Sequence, residues 1–160
     1  MITNNKERQY FDDPESINGI KVVQDYEEIE KQLKAGNSVY HWELGDSMVP
    51  ILHDGEYCLI MNLTDIDDVK QGDAVFCKMK YGYMVHMVGM ISDCGFNQSN
   101  RKWFQIVTTN GDNLGWTQDI IGKAYPTNFF NEKALNRQFE IEQNLDELSE
   151  YFHNNRTFKI

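Results

Sequence analysis

Between residues 39 and 109 the chain is a succession of short apolar runs closed by glycine, asparagine or aspartate. Val39-Tyr40-His41-Trp42, Glu56 to Met61, Asp73 to Met79, Tyr83 to Ile91 and Lys102 to Thr109 are rich in β-branched and aromatic residues. Each run is shorter than an ordinary helix and bounded by turn formers, so each reads as a strand. Gly72 opens the third run, Tyr81-Gly82 reads as a hairpin connection into the fourth, and the stretch from Asp93-Cys94-Gly95 to Asn100 reads as a polar loop. Short strands joined in this way predict a mainly β domain, a β-rich α+β fold built on a coiled antiparallel sheet or partial barrel.

Both ends of the chain read differently. Residues 1 to 24 are irregular, with turn signals at Asp12, Asp13, Pro14 and Asn18-Gly19 and a short strand at Ile20, Val22 and Val23. A short helix follows: Asp25 and Glu28 form a capping box, Tyr26, Ile29 and Leu33 share a face, and Gly36 suits the left-handed position that ends it. After Pro126 a second helix is predicted, capped by Asn131, with Leu135, Phe139, Leu145, Leu148 and Phe152 near one face. That face either packs on its own domain or docks on a protein partner. The expected organisation is therefore an N-terminal extension over 1–38, a β core over 39–126 and a C-terminal helical extension over 127–160.

Composition excludes several classes. With 41% hydrophobic and 25% charged residues the chain is that of a soluble globular protein. It has no apolar run near the roughly 20 residues that cross a bilayer. The polar start MITNNKERQYFDDPES lacks the apolar core of a secretory signal. A net charge of −10 repels a phosphate backbone, and Lys78, Lys80, Arg101 and Lys102 are too dispersed to offset it, so no nucleic acid is expected. Cys58 and Cys77 fall inside strand-like runs and read as small core residues. Together with Cys94 they make an odd number without a Cys-x-x-Cys spacing, which fits a reducing, cytoplasmic setting and implies no metal.

One stretch carries chemistry. Gly45-Asp46-Ser47-Met48-Val49-Pro50-Ile51-Leu52-His53-Asp54-Gly55-Glu56 places a serine on a bend just before a buried strand. On the residues alone Ser47 either caps a turn or acts as a nucleophile. The stretch resembles the nucleophile box Gly-x-Ser-Met-x-Pro-x-Leu-x-x-Gly-Asp of the superfamily containing signal peptidases and self-cleaving LexA-like repressors. Further boxes appear in the family's order: Val69-Lys70-Gln71-Gly72-Asp73-Ala74-Val75, then Val85-His86-Met87, then Asn110-Gly111-Asp112-Asn113 with Asp119, ending in Ile120-Ile121-Gly122-Lys123-Ala124. The resemblance spans about Tyr40 to Tyr125 and is to the Ser-His signal peptidase class. Two positions depart from the pattern, Glu56 for Asp and Met87 for Arg.

The resemblance implies a fold of the LexA–signal peptidase type and a role for each residue. Ser47 would attack a peptide carbonyl and His86 would act as general base, with Asp112 or Asp119 orienting the imidazole. The bend of Gly45, Asp46, Met48 and Pro50 would present Ser47 and backbone N–H groups to the oxyanion. Without the family, His86 reads as a core histidine alternating with Met84 and Val88, Asp112 as a turn former and Asp119 as a cap. Three readings follow: a soluble serine endopeptidase acting on a peptide or protein substrate in a bacterial or phage-infected cell; a silent module of that fold within a larger assembly; or a self-processing regulator cutting at Ala35-Gly36. None requires a cofactor, and the N-terminal region lacks the two-helix basic unit of a repressor.

Overall fold

The computed structural model describes residues 8–92 and 101–155, so the loop around Cys94 lies outside the described residues. In chain order the elements are β1 (Gln9–Phe11), β2 (Ser16–Ile17), β3 (Ile20–Lys21), α1 (Tyr26–Lys34), β4 (Val39–Trp42) and β5 (Glu56–Asn62). Then come a 3-10 turn at Ile66–Asp68, β6 (Ala74–Met79), β7 (Gly82–Ser92), β8 (Trp103–Val107), β9 (Asn113–Thr117), β10 (Asp119–Asn131) and α2 (Glu132–Asn155). The protein is mainly β with two helices, as the alternating runs predict.

The principal sheet runs β4-β5-β10-β6-β7-β8-β9, with β1 added in parallel to the end of β10. Every other pairing in it is antiparallel. The sheet also curls, because Thr117 Oγ1 donates to Lys78 O at 2.6 Å and Met79 packs on Gly115, returning β9 towards β6. The period-2 alternation decides what fills each side. Val75, Cys77, Val88, Phe104, Ile106 and Ile120 pack inside the curl. Phe76, Val85, Ile60 and Cys58 pack on the other side against Ile29 and Leu33 of α1 and against Met48 and Leu52 of the serine bend.

Two sequence expectations change. The box expected of Asp25 and Glu28 does not form: Asp25 makes no side-chain cap bond, and Glu28 accepts from Gln32 instead. Gly36 does end α1 at φ +87, with its N–H on Leu33 O. The boundary expected at 126 falls inside β10, which runs through Pro126 to Asn131. Asn131 is the N-cap of α2, its Oδ1 accepting from Lys133 N at 2.9 Å. The start of that helix is held to the domain by the buried Ala134 and by Arg137 on Asp54, while Phe139, Leu145, Leu148 and Phe152 are exposed.

Glu56, one of the two departures from the family pattern, is buried and joins distant parts of the chain. Its carboxylate accepts from His53 N, Thr127 N and Asn128 N, each at 3.0 Å. The last two N–H groups are available because the β5–β10 register shifts between Pro126 and Phe130, turning them out of the ladder. Aspartate, one methylene shorter, would not span from β5 to this bulge and to His53 together. Replacing Glu56 by Ala removes a charged acceptor from three N–H groups and is expected to cost about 3 kcal/mol, and Glu56→Asp about 1–2 kcal/mol, in urea unfolding. A cost below about 0.5 kcal/mol for both variants would remove Glu56 from the structural role.

Candidate active site

Ser47 stands in two tight turns between β4 and β5. Gly45 adopts φ +121, open only to glycine at low cost, and its N–H donates to Asp54 Oδ1 at 2.6 Å. Val49 N then bonds Asp46 O at 3.1 Å and Leu52 N bonds Met48 O at 2.9 Å, with the Val49-Pro50 peptide cis. Met48 and Leu52 are buried and anchor the bend from below, while Asp46 and Pro50 are exposed and Ser47 is half-buried.

The residue just before the Asn110-Gly111-Asp112-Asn113 box secures this bend from the far end of the sheet. Thr109 N donates to Ser47 O at 3.0 Å, and Thr109 Oγ1 donates to Val49 O at 2.7 Å with Ser47 O at 3.1 Å. Thr109 is held in turn by the Asn110-Gly111-Asp112 turn, in which Thr108 N bonds Asp112 O and Asp112 N bonds Thr108 Oγ1. Sequence reading missed Thr109 because nothing local distinguishes it from the strand residues before it.

His86 lies on β7 opposite Val75 of β6, and its Nε2 is 3.0 Å from Ser47 Oγ. Burial holds the imidazole below its ordinary pKa of about 6.5, against a smaller opposing pull from the charge of Glu43. At neutral pH the ring is therefore neutral. For Nε2 to accept the serine proton, the ring hydrogen must sit on Nδ1. That Nδ1 is buried and has no hydrogen-bond partner among the described residues.

Neither aspartate assigned to orient the ring is bonded to it. Asp112 is exposed in its turn, where its backbone rather than its carboxylate carries the connections to Thr108. Asp119 is exposed at the start of β10 and pairs with Arg101 at 3.0 Å. Both were placed by box order, which does not fix where a carboxylate points. The acidic group whose field reaches His86 is Glu43, just before the bend. Glu43 accepts from Tyr26 Oη and lies 3.2 Å from Nε2 of the buried His41, whose Nδ1–H donates to Val23 O at 2.9 Å. Burial alone would raise the Glu43 pKa, but the bonds from His41 and Tyr26 together bring it below the usual carboxylate value. The available sequence signal was the spacing of His41 and Glu43, two apart on an alternating run.

The remaining candidates fall elsewhere. Met87, at the position of the family's Arg, is partly buried against the core. Lys78 and Lys80 lie over the rings of Tyr83 and Tyr81. Ala35-Gly36 is closed into the end of α1, with Asn37 N on Gln32 O at 2.9 Å, and is not the extended backbone a protease takes. Cys58 and Cys77 are buried free thiols, and burial raises both, Cys77 to about 12. Among the described residues no group of three or more His, Cys, Asp or Glu could hold a metal, and no helix is long and apolar enough to cross a membrane. Beside Ser47 a cavity of about 30 Å³ opens between Gly45, Met48, Leu52, His53 and Val85, with room for about two water-sized groups.

Two measurements check this geometry. Thr109→Val, which keeps the shape and removes the hydroxyl bonds to the bend, is expected to destabilise the protein by about 1–2 kcal/mol in denaturant unfolding. In an NMR titration His86 is expected to protonate below about pH 6.5, the ordinary value. Because its folded pKa is depressed, its contribution to stability is present above that value and is lost as pH falls through the folded pKa. A midpoint at or above the ordinary value would contradict the buried, neutral ring. Comparison with known proteins gives no matching family model, no matching curated protein and no matching solved structure.

Proposed function

We propose that this protein is a serine endopeptidase of the signal peptidase and LexA-like superfamily, with Ser47 as nucleophile and His86 as general base. The observation that carries the reading is the 3.0 Å approach of Ser47 Oγ to His86 Nε2, between residues 39 positions apart. A serine hydroxyl is a weak nucleophile until a neutral base stands within hydrogen-bond reach, and His86 is such a base at neutral pH.

Ser47 Oγ attacks the substrate carbonyl while Nε2 takes its proton. The imidazolium then returns that proton to the leaving amine, and water, activated by the same nitrogen, releases the acyl group. The backbone N–H of Ser47 and a neighbouring donor on the bend stabilise the oxyanion, a contribution of roughly 3–4 kcal/mol per donor. Thr109 and Asp54 fix the bend beforehand, so this geometry needs no rearrangement during the reaction. The small cavity beside Ser47 favours a small side chain next to the cleaved bond. Neither Asp112 nor Asp119 is bonded to Nδ1, and Glu43 supplies the fixed negative charge nearby.

A second reading, a silent module of the same fold, is favoured by the uncovered stripe of α2, which suits docking better than catalysis. Intact-mass analysis after incubation with an acylating, serine-directed inhibitor separates the two. The peptidase gives one stoichiometric adduct on the wild type, absent in Ser47→Ala and slowed at least about 100-fold in His86→Ala. An unmodified wild type, or an adduct that survives Ser47→Ala, would leave the module reading in its place.

A further inference from the structure

Where α2 leaves the sheet, a second cavity of about 200 Å³ opens between the helix, the serine bend and the end of β10. Val49 and His53 of the bend, Phe130 of β10, and Leu135 and Ile141 of α2 line it, together with Arg8 just ahead of β1. It is separate from the small cavity beside Ser47, although His53 stands in the wall of both. A space of this size holds one ring or one branched side chain, since a dry cavity of about 150 Å³ takes a benzene molecule. With Val49, Phe130, Leu135 and Ile141 around it, the group that fills it is apolar.

The unopposed charge in the cavity belongs to Arg8. Its guanidinium lies over the Phe130 ring at 4.5 Å, and its Nε is buried with no hydrogen-bond partner. Among the described residues no carboxylate pairs with it, in a chain where acidic residues outnumber basic ones 25 to 15 and partners are abundant. The cavity does contain the Asp54 carboxylate, but its Oδ1 already accepts from Gly45 N at 2.6 Å and from Arg137 Nη1 at 3.2 Å. A guanidinium stacked on a ring keeps in-plane N–H groups free to donate, and a planar carboxylate accepts two of them at once. Partial burial strengthens such a pair, because less water competes for either charge.

We infer that this cavity binds a carboxylic acid carrying one aromatic or branched apolar group. The apolar group sits among Val49, Phe130, Leu135 and Ile141, and the carboxylate pairs with Arg8. A bare inorganic anion leaves the apolar walls unfilled, and an uncharged apolar molecule leaves Arg8 unpaired. The C-terminal residue of a peptide and a free short acid share this chemistry. The site adjoins the serine bend but does not depend on Ser47 being active.

Titration of N-acetyl-phenylalanine into the full chain, followed by NMR, tests this. Saturable shifts are expected at Val49, His53 and Ile141, with a dissociation constant below about 2 mM, a strength within reach of an acid of this size. N-acetyl-phenylalaninamide, the same body without the charge, should bind at least about 10-fold more weakly. The acid should lose at least about 10-fold on Arg8→Gln, and as much on Ile141→Glu, which alters an exposed side chain and sets a competing carboxylate at the cavity. 3-Phenylpropionate, which lacks the amide, separates the two sources: binding as tight as that of N-acetyl-phenylalanine assigns the cavity to free acids, and weaker binding assigns it to peptide C-termini. No saturable shift up to about 20 mM overturns the inference. So does an amide that binds as tightly as the acid, or an Arg8→Gln protein that binds the acid as tightly as the wild type.

Discussion

The buried carboxylate of Glu56 is the interaction on which the rest of this structure depends. It lies at the start of β5, immediately after the serine bend, and accepts N–H groups from the bend and from the bulge of β10. Without that acceptor the bulge would leave two backbone donors turned out of the ladder with no partner. With it, β10 changes direction, takes up β1 in parallel and delivers Asn131 to the cap of α2. One side chain thus couples the nucleophile loop, the central strand and the root of the terminal helix.

The serine bend is held from three directions by groups that do no chemistry. Met48 and Leu52 fix it to the core by burial, Asp54 fixes Gly45, and Thr109 holds the carbonyls on both sides of Met48. Rigid placement of this kind matters because a hydroxyl and an imidazole must stay within a fraction of an ångström of productive geometry. Asp54 also accepts from Arg137, so the second turn of α2 is bonded to the loop that carries Ser47.

Electrostatically the site has two layers. The outer one is Ser47 with His86, where burial keeps the ring neutral. The inner one is Tyr26, Glu43 and His41, a polar network that satisfies groups which would otherwise be expensive to bury. Val23 O accepts from the Nδ1–H of His41, which leaves Nε2 to face the Glu43 carboxylate. The network's net field on His86 is the remaining pull of the carboxylate.

What the sequence by itself determined was everything that depends on local period and turn chemistry. The runs at Val39–Trp42 and Glu56–Met61, the Tyr81-Gly82 hairpin, the Gly36 end of α1 and the Asn131 cap were legible because each is decided within a few residues. Ser47 and His86 were legible as candidates because their neighbours matched a known order of boxes. Tertiary structure alone decided which polar groups meet. It put Thr109 rather than Asp112 at the serine bend, sent Asp119 to Arg101, set Glu43 within the field of His86, and gave Glu56 its three donors. It also left the stripe of α2 uncovered, which the apolar pattern could not distinguish from a helix packed on its own domain. The reason is physical: period and turn propensity act over a few residues, whereas a contact between positions distant in the chain is settled by strand register and by where burial leaves a donor in need of an acceptor.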